Sequence, residues 1–555
     1  MNDWTGRILI LALLAIIVGV PFALRPAASD ETDDPAATTT ATETTTTGEQ
    51  PHLVVLTPHN EQIRYELALA FNRWRAKQGK PVVHFDWRSS GGTSDLRKQL
   101  IAAYEAEARS AIEENRQVSH VGYDLFFGGG DFEHNLVAGE RTVTVPGKDP
   151  TDKSAERSIK FTISIPVEFP PGALEEIFPT PDIAGAKLYH PEKRWVGVVL
   201  SSFGIVYNRV VLSHLELPEP ATWTDLTDPR YRGQIALADP ANSGSITEAY
   251  NAILMRLGWD EGWRVLRRCF ANSRYFANVS TKVPIDVSVG ETAAGMCIDF
   301  YGRFQAGAVE LLPPSAVAVK NSSGAGASAG RVGYIDPPGM TKLNSDPVSI
   351  LRGAPNRALA NEFVLWLLSK EAQVLWQRKL GVLGGPARYE LRRQPIRRDL
   401  YNDAQELKLW TDDVRPFEIA RPFPKGMPDF YGSIATVSHA MAIDVHDELV
   451  DAWKAIHRVK DESKRTELLR KFDAMPHDLA IARLPEDWLS VLNDPASARH
   501  EEVAKLMKDF VSGLTARWKS DPKNPDFGAD QLIRDRQRWT EMFRQNYRDI
   551  VDAAK

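Results

Sequence analysis

The residues best suited to chemistry fall in three short stretches. The first is Asp286-Val-Ser-Val-Gly-Glu-Thr-Ala-Ala-Gly-Met-Cys-Ile-Asp-Phe-Tyr-Gly-Arg303. It reads as a turn and a short apolar strand that stops in an acid, two rings and a base. Ligands of open α/β sheets bind just beyond the carboxyl ends of strands, where helix N-termini converge. Asp299, Tyr301 and Arg303 are therefore candidate cleft residues. The bland alternative is a strand end with a satisfied Tyr hydroxyl and an exposed ion pair. The other two stretches, Ser89-Ser90-Gly91-Gly92-Thr93-Ser94 and Asn242-Ser243-Gly244-Ser245, each precede a helix. Backbone N–H groups at a helix start lack partners, and the helix dipole favours negative charge there. Glycine lets an anion approach the backbone, and Ser and Thr hydroxyls add donors. Such loops suit phosphate, sulfate or carboxylate. Plain N-capping is the competing explanation for each. Neither is a nucleotide P-loop, because no Gly-Lys-Ser/Thr follows.

Four more residues complete the candidate set. Thr57 and His59 follow the first expected strand, Gly129 lies in the Gly128-Gly129-Gly130 run after the third, and Ser202 stands between two others. His59 has the chemistry of a base or a metal ligand, although a lone His at a strand end is more often structural. Enzymatic chemistry finds little support. There is no His-Glu-x-x-His and no Cys-x-x-Cys, and no nucleophile–base pair is visible. Cys269 and Cys297 make neither a metal cluster nor a disulfide framework; they pair only if their Cα atoms come close in an oxidising compartment.

Strand and helix alternate in the elements that must hold these loops. Short strands are expected over 53–56, 82–87 and 123–127, with amphipathic helices over 61–77 and 95–114 between them. That order argues for a mainly parallel sheet covered by helices. Residues 142–160, rich in Pro, Lys and Asp, read as a surface excursion. Further strands are expected over 195–200, 203–207, 235–238, 332–335 and 347–351. Helices are expected over 243–257, 259–270, 356–368 and 369–380. Residues 322–330 are Gly/Ala/Ser-rich. Beyond about 400 strand signals stop, and helices over 433–457, 461–472, 501–519 and 531–554 suggest an all-helical tail broken by prolines.

The chain has 555 residues, 43% hydrophobic and 25% charged, with a net charge of −6. It is too long for one core, and its charge points to neither nucleic acid nor an anionic membrane surface. Arg7 precedes an uncharged apolar run over 8–24, a membrane-targeting segment at the short end of what spans a bilayer. The best signal-cleavage site, near Pro26-Ala27-Ala28-Ser29, is poor. Residues 27–50 are Thr, Ala, Asp and Glu with almost nothing apolar, as in a disordered linker. A linker implies something retained at its other end, which favours an uncleaved inner-membrane anchor and an exported bulk.

The order of motifs resembles the extracellular solute-binding proteins of ABC transporters, in the ferric-iron and phosphorylated-solute branch. The resemblance rests on Ser202-Phe-Gly-Ile-Val-Tyr-Asn208, Thr222-Trp-Thr-Asp-Leu-Thr-Asp-Pro-Arg-Tyr-Arg-Gly-Gln-Ile-Ala236 and Asp239-Pro-Ala-Asn-Ser-Gly-Ser245. Val289-Gly-Glu-Thr-Ala-Ala-Gly-Met296, Ile298-Asp-Phe-Tyr301 and Asp346-Pro-Val-Ser-Ile-Leu-Arg-Gly-Ala-Pro-Asn356 continue it. The resemblance implies an α/β fold of the type II periplasmic-binding-protein kind, a two-lobed clamp with ligand between the lobes. It places lobe one at 51–208 plus 345–400 and lobe two at 209–344. Residues 1–26 then form the membrane segment, 27–50 the linker and 401–555 a helical C-terminal extension. Ferric members hold iron with two adjacent tyrosines, a histidine and a glutamate. Here the tyrosine pair matches Phe300-Tyr301, the histidine falls near His59, and Gly128–Gly130 occupy the glutamate's place. Fe(III) prefers anionic oxygen ligands, so the resemblance favours a small organic anion, with no cofactor; Fe3+ held by Tyr301 and His59 is the alternative. A permease and an ATPase are the implied partners. A membrane-tethered ligand sensor is a further possibility.

Overall fold

The chain builds two sheets in turn, and where it passes between them fixes where a ligand can sit. A computed structural model describes residues 50–146, 156–310, 330–480, 484–519, 524 and 527–555. The expected membrane segment over 8–24, the linker over 27–49 and most of the Gly/Ala/Ser-rich stretch at 322–330 lie outside the described residues. No helix among the described residues is long and apolar enough to cross a membrane. Residues Gln50–Lys555 form one compact unit.

Sheet one begins with β1 (His52–Leu56), β2 (His84–Arg88), β3 (Leu125–Phe127) and β4 (Val196–Ser201). Sheet two follows with β5 (Phe203–Asn208), β6 (Ile235–Ala238), β7 (Ser273–Ala277), β8 (Ala294–Ile298) and β9 (Val332–Ile335). The chain then returns to sheet one with β10 (Asn344–Leu351) and β11 (Gln394–Pro395). The first sheet has the order β11-β4-β10-β3-β1-β2 and the second β7-β6-β8-β5-β9.

Neither sheet is mainly parallel, contrary to expectation. Strand β1 runs parallel to β2 and β3, but β10 is antiparallel to β3 and β4. Likewise β6 runs parallel to β7 and β8, while β5 is antiparallel to β8 and β9. The strands that lead from one lobe to the other enter without a helical crossover, and only a right-handed crossover yields a parallel neighbour. All six residues of β4 and all six of β5 are buried.

The sheet change also falls earlier than expected. Ser201 ends a strand of sheet one and Phe203 begins one of sheet two, so Ser202 is the crossing, not the 208/209 boundary. The reason is pairing: Phe203–Asn208 find their hydrogen-bond partners on β8 and β9. The second crossing spans residues 336–343. The expected surface excursion contains a hairpin, Glu140–Val145 paired with Arg157–Thr162, and residues 147–155 lie outside the described residues. Ser273–Ala277 was not anticipated as a strand, and the helix expected over 369–380 shortens to Lys370–Gln373 and a 3₁₀ turn at Val374–Trp376.

The helical tail is not a separate domain. Residues up to about 420 pack on lobe one, where Leu400, Tyr401 and Trp410 are buried together and Phe417 closes against them. From Phe430 onward the tail shares one hydrophobic core with lobe two: Ile434, Trp453, Trp539 and Phe543 are continuous with Trp259, Trp263 and Phe270. The indole N–H of Trp453 donates to Asn272 Oδ1 at 2.9 Å, and that of Trp259 to the Leu479 carbonyl at 2.7 Å. Residues 421–429 therefore make a third passage between the lobes. Both cysteines are buried and free.

Candidate functional site

Six helices begin at one cavity between the lobes. They are α1 (Glu61–Ala76), α2 (Thr93–Glu113), α3 (Asp131–Ala138), α4 (Gly244–Leu257), α5 (Lys282–Val289) and α6 (Asp299–Glu310). The residues just before them, Asn60, Gly92, Gly130, Ser243, Thr281 and Ile298, all line the cavity. The strands before them, β1, β2 and β3 in sheet one and β6, β7 and β8 in sheet two, run parallel within each sheet, so each delivers its chain to the same edge and the helix that follows starts there. At Gly92, Gly130 and Thr281 no side chain caps the helix. These ends border a space of about 370 Å³, and in α5 the Lys282 and Val283 N–H groups already donate to the Val279 and Ser280 carbonyls. Each N-terminus carries roughly half a positive charge.

The second lobe adds a run of hydroxyls. Ser243 Oγ lies 3.2 Å from Ser245 Oγ, which donates to Ser280 Oγ at 3.0 Å. Arg64, in the first turn of α1, supplies the only Lys or Arg side chain on the wall among the described residues. Two acids line the same space, but both are already partnered. Glu248 accepts from Lys342 Nζ at 2.8 Å and from Asn344 Nδ2 at 3.2 Å. Burial pushes its pKa up to about 7, with Lys342 opposing and Asp429 and Asp131 reinforcing the rise. Asp346 sits between the Arg393 guanidinium, at 2.5 Å, and His59 Nε2, at 3.1 Å, and also accepts the Gly129 N–H at 2.6 Å. Although burial opposes its charge, Arg393 and His59 hold the Asp346 carboxyl far below the usual range. His59 is itself pushed below its ordinary pKa by burial, so it is a neutral ring wedged between Asp346 and Arg393.

The lobes are closed over this space. No Cβ fits between Gly92 and the Asn242 carbonyl, and Lys98 Nζ donates to the Ala241 carbonyl at 3.1 Å. Gly129 is held at φ +109° against Thr93, a second place where only glycine fits.

The cavity gathers ten of the sequence candidates: His59, Ser89, Gly91, Gly92, Thr93, Gly129, Ser243, Gly244, Ser245 and Tyr301. Four others stand elsewhere. Thr57 is buried behind the wall and accepts the His59 N–H at 3.1 Å. Ser90 points to solvent and Gln99. Ser202 donates to Asp336 Oδ1 at 2.7 Å at the first crossing. Asp299 does not face the cleft; it opens α6 with its carboxylate wholly buried and without a hydrogen-bond partner. The expected strand end is thus a helix start, which turns the first side chain inward and sends Phe300 and Tyr301 to the wall. Arg303 pairs with Asp336 instead of facing a ligand.

Sequence reasoning missed Arg64, Glu248, Ser280, Thr281, Asn344 and Asp346. The signal for two of them was available. Ser280-Thr281 followed by Lys-Val-Pro284 is an N-terminal helix pattern, but the apolar residues after it suggested a turn and strand. Asp346 was hidden because the strand starts at Asn344 and carries it into the wall, instead of beginning at Pro347. Among the described residues no group of three or more His, Cys, Asp or Glu side chains could hold a metal ion.

Residues 174–387 match the family model described as bacterial extracellular solute-binding protein. A phosphoglycerate transport regulatory protein of Salmonella typhimurium is 23% identical over 312 residues, covering 55% of this chain and 68% of its own length. Among solved structures, the periplasmic binding protein AfuA of Actinobacillus pleuropneumoniae, with fructose-6-phosphate bound, aligns at a TM-score of 0.47 and 16% identity, over 73% of this chain and 98% of that one. A ferric binding protein from Campylobacter jejuni aligns at 0.41 and 14%, over 66% and 94%.

Proposed function

We propose that this protein, whose residues 174–387 match a model described as bacterial extracellular solute-binding protein, captures a small anionic solute between its lobes and delivers it to an ABC importer. One observation carries the choice of an anion: six helix N-termini, three of them uncapped by side chains, open onto a single cavity between the lobes. Their summed dipoles stabilise negative charge where they converge. Arg64 adds a formal charge, whereas both lining acids are neutralised by Lys342 and Arg393. The hydroxyl run Ser243–Ser245–Ser280 suits phosphoryl oxygens. A cavity of about 370 Å³ suits a three- to six-carbon solute.

No bond is made or broken in this role. The work is the difference in affinity between the open and closed arrangements. A permease and an ATPase are the partners, and the location is outside the cytoplasm. Residues 8–24 serve as the inner-membrane tether and residues 27–50 as its linker. The Salmonella relative is named for phosphoglycerate transport, and phosphoglycerate carries both a phosphate and a carboxylate. That relative's name is also regulatory, which favours a second reading in which occupancy is reported to a membrane partner.

Mass spectrometry of the molecule that co-purifies, followed by calorimetry with 3-phosphoglycerate, fructose 6-phosphate and orthophosphate, tests the proposal. A phosphorylated solute is expected, with binding lost when its phosphate is removed. Colour on loading with Fe(III), abolished by Tyr301→Phe, would make iron the cargo instead.

A further inference from the structure

The helical tail reaches back across the cleft to lobe one through Tyr431. Tyr431 is anchored on lobe two: its N–H donates to Asp429 Oδ1 at 2.8 Å, and Asn251 of α4 donates to the same oxygen at 3.1 Å. The preceding Phe430 N–H donates to Asn251 Oδ1 at 3.1 Å, and Phe430 is wholly buried in the shared core. Yet the Tyr431 hydroxyl donates across the gap to Glu133 Oε1 on α3 of lobe one, at 3.0 Å. The Tyr431 ring also stacks on Phe132, with centroids 3.9 Å apart. Glu133 is wholly buried; it accepts from Ser94 Oγ at 2.6 Å and is paired with Arg97. Ser94 follows the cavity residue Thr93. On the other side, a Cβ on the cavity residue Gly244 would come within 2.9 Å of the Tyr431 hydroxyl.

A second contact ties the tail to the same loop. His439 Nε2 lies 3.0 Å from Asp239 Oδ1, and Asp239 also accepts the Ala241 N–H at 2.8 Å. The tail thus bonds one end of residues 239–244, the lobe-two loop that meets Gly92, and lies against the other.

We propose that Tyr431 is an interlobe latch, a positioning residue by which the helical tail holds the two lobes closed over the cleft without touching the ligand. This rests on the two-lobed capture role above. A hydrogen bond from a tyrosine on one lobe to a buried carboxylate on the other exists only when the lobes meet. Opening leaves Glu133 with Arg97 and Ser94 but without Tyr431, and exposes the faces of two stacked rings. Closure therefore carries a favourable contribution that the ligand does not supply.

The test uses the full chain with spin labels at Ala106→Cys on lobe one and Ser213→Cys on lobe two, both exposed positions. The native cysteines are buried and stay unlabelled. Interlobe distances are compared with and without 3-phosphoglycerate for the parent and for Tyr431→Phe, which keeps the ring stacking. The expected result is a larger open population in Tyr431→Phe and a dissociation rate for 3-phosphoglycerate raised about fivefold, the size of one lost hydrogen bond. The melting temperature should move by no more than about 4 °C. Glu133→Gln, which keeps an acceptor, should restore most of the closed population relative to Glu133→Ala. Identical distance distributions in parent and Tyr431→Phe overturn the latch. If 3-phosphoglycerate binds neither protein but the distributions still differ, the latch stands and the choice of solute fails.

Discussion

The Asp346 carboxylate lies 2.5 Å from the Arg393 guanidinium, and the two are buried together, Asp346 on the cavity wall and Arg393 behind it. Asp346 belongs to β10 and Arg393 to the segment just before β11, so the pair fastens the return passage of the chain to the edge of sheet one. Arg393 also donates to Ser201 Oγ at 2.7 Å and lies 4.1 Å over the Phe300 ring of lobe two. One buried charge pair therefore supports the wall from both lobes. Removing one partner leaves the other uncompensated. Arg393→Met should lower unfolding free energy by about 3–5 kcal/mol, measured by urea denaturation. Lys77→Met, which breaks an exposed pair with Glu371, should cost well under 1 kcal/mol. The Asp346 carboxyl is depressed in the fold, so its contribution is present above the unfolded-state pKa of about 4 and is lost as pH falls below it.

Asp299 behaves in the opposite sense. Burial, reinforced by Asp336 and opposed by Arg303 and Arg393, pushes its pKa up to about 7. Between about pH 4 and pH 7 the unfolded chain is ionised at this residue while the folded chain keeps its proton. Stability therefore falls as pH rises through that window and levels off above it. Asp299→Asn should remove the fall, raising the denaturation midpoint at pH 7.5 more than at pH 4.5. Equal gains at both pH values would contradict this assignment.

Gly92 faces the Asn242 carbonyl with no room for a methyl group. Gly92→Ala should leave each lobe folded while holding the clamp ajar. Small-angle scattering should show a larger radius of gyration, with an unchanged circular dichroism spectrum. Affinity for 3-phosphoglycerate should drop at least tenfold.

Among the described residues, Arg64 is the one Lys or Arg side chain on the cavity wall. Arg64→Gln should weaken phosphate-bearing probes by about 1.5–3 kcal/mol, the range for a charge-assisted hydrogen bond. Calorimetry at two salt concentrations should show a shallower salt dependence in the variant.

A truncation after residue 420 should fail. Trp259 and Trp263 of lobe two are covered by Phe430, Trp453 and Trp539 of the tail, so removal exposes a large apolar patch and invites aggregation. Size-exclusion chromatography of the truncated chain should show aggregates, in contrast to a monodisperse full-length protein.

By itself the sequence determined the alternation of strands and helices, the two Ser/Gly loops at helix starts and the helical character of the tail. Each is a local property: periodicity, turn chemistry and capping act over a few residues, so Ser243 or Gly92 can be recognised without a partner. The tertiary structure decided what depends on residues far apart in the chain. It moved the sheet change to Ser202, because β5 pairs with strands 87 to 130 residues away. It turned Asp299 inward, because whether an apolar run ends as a strand or opens a helix is set by the lobe that receives it. It brought Asp346 to Arg393 and Tyr431 to Glu133, pairings that no spacing encodes. The convergence of six helix starts on one cavity is likewise a consequence of sheet topology, which gathers dipoles that the sequence lists only one at a time.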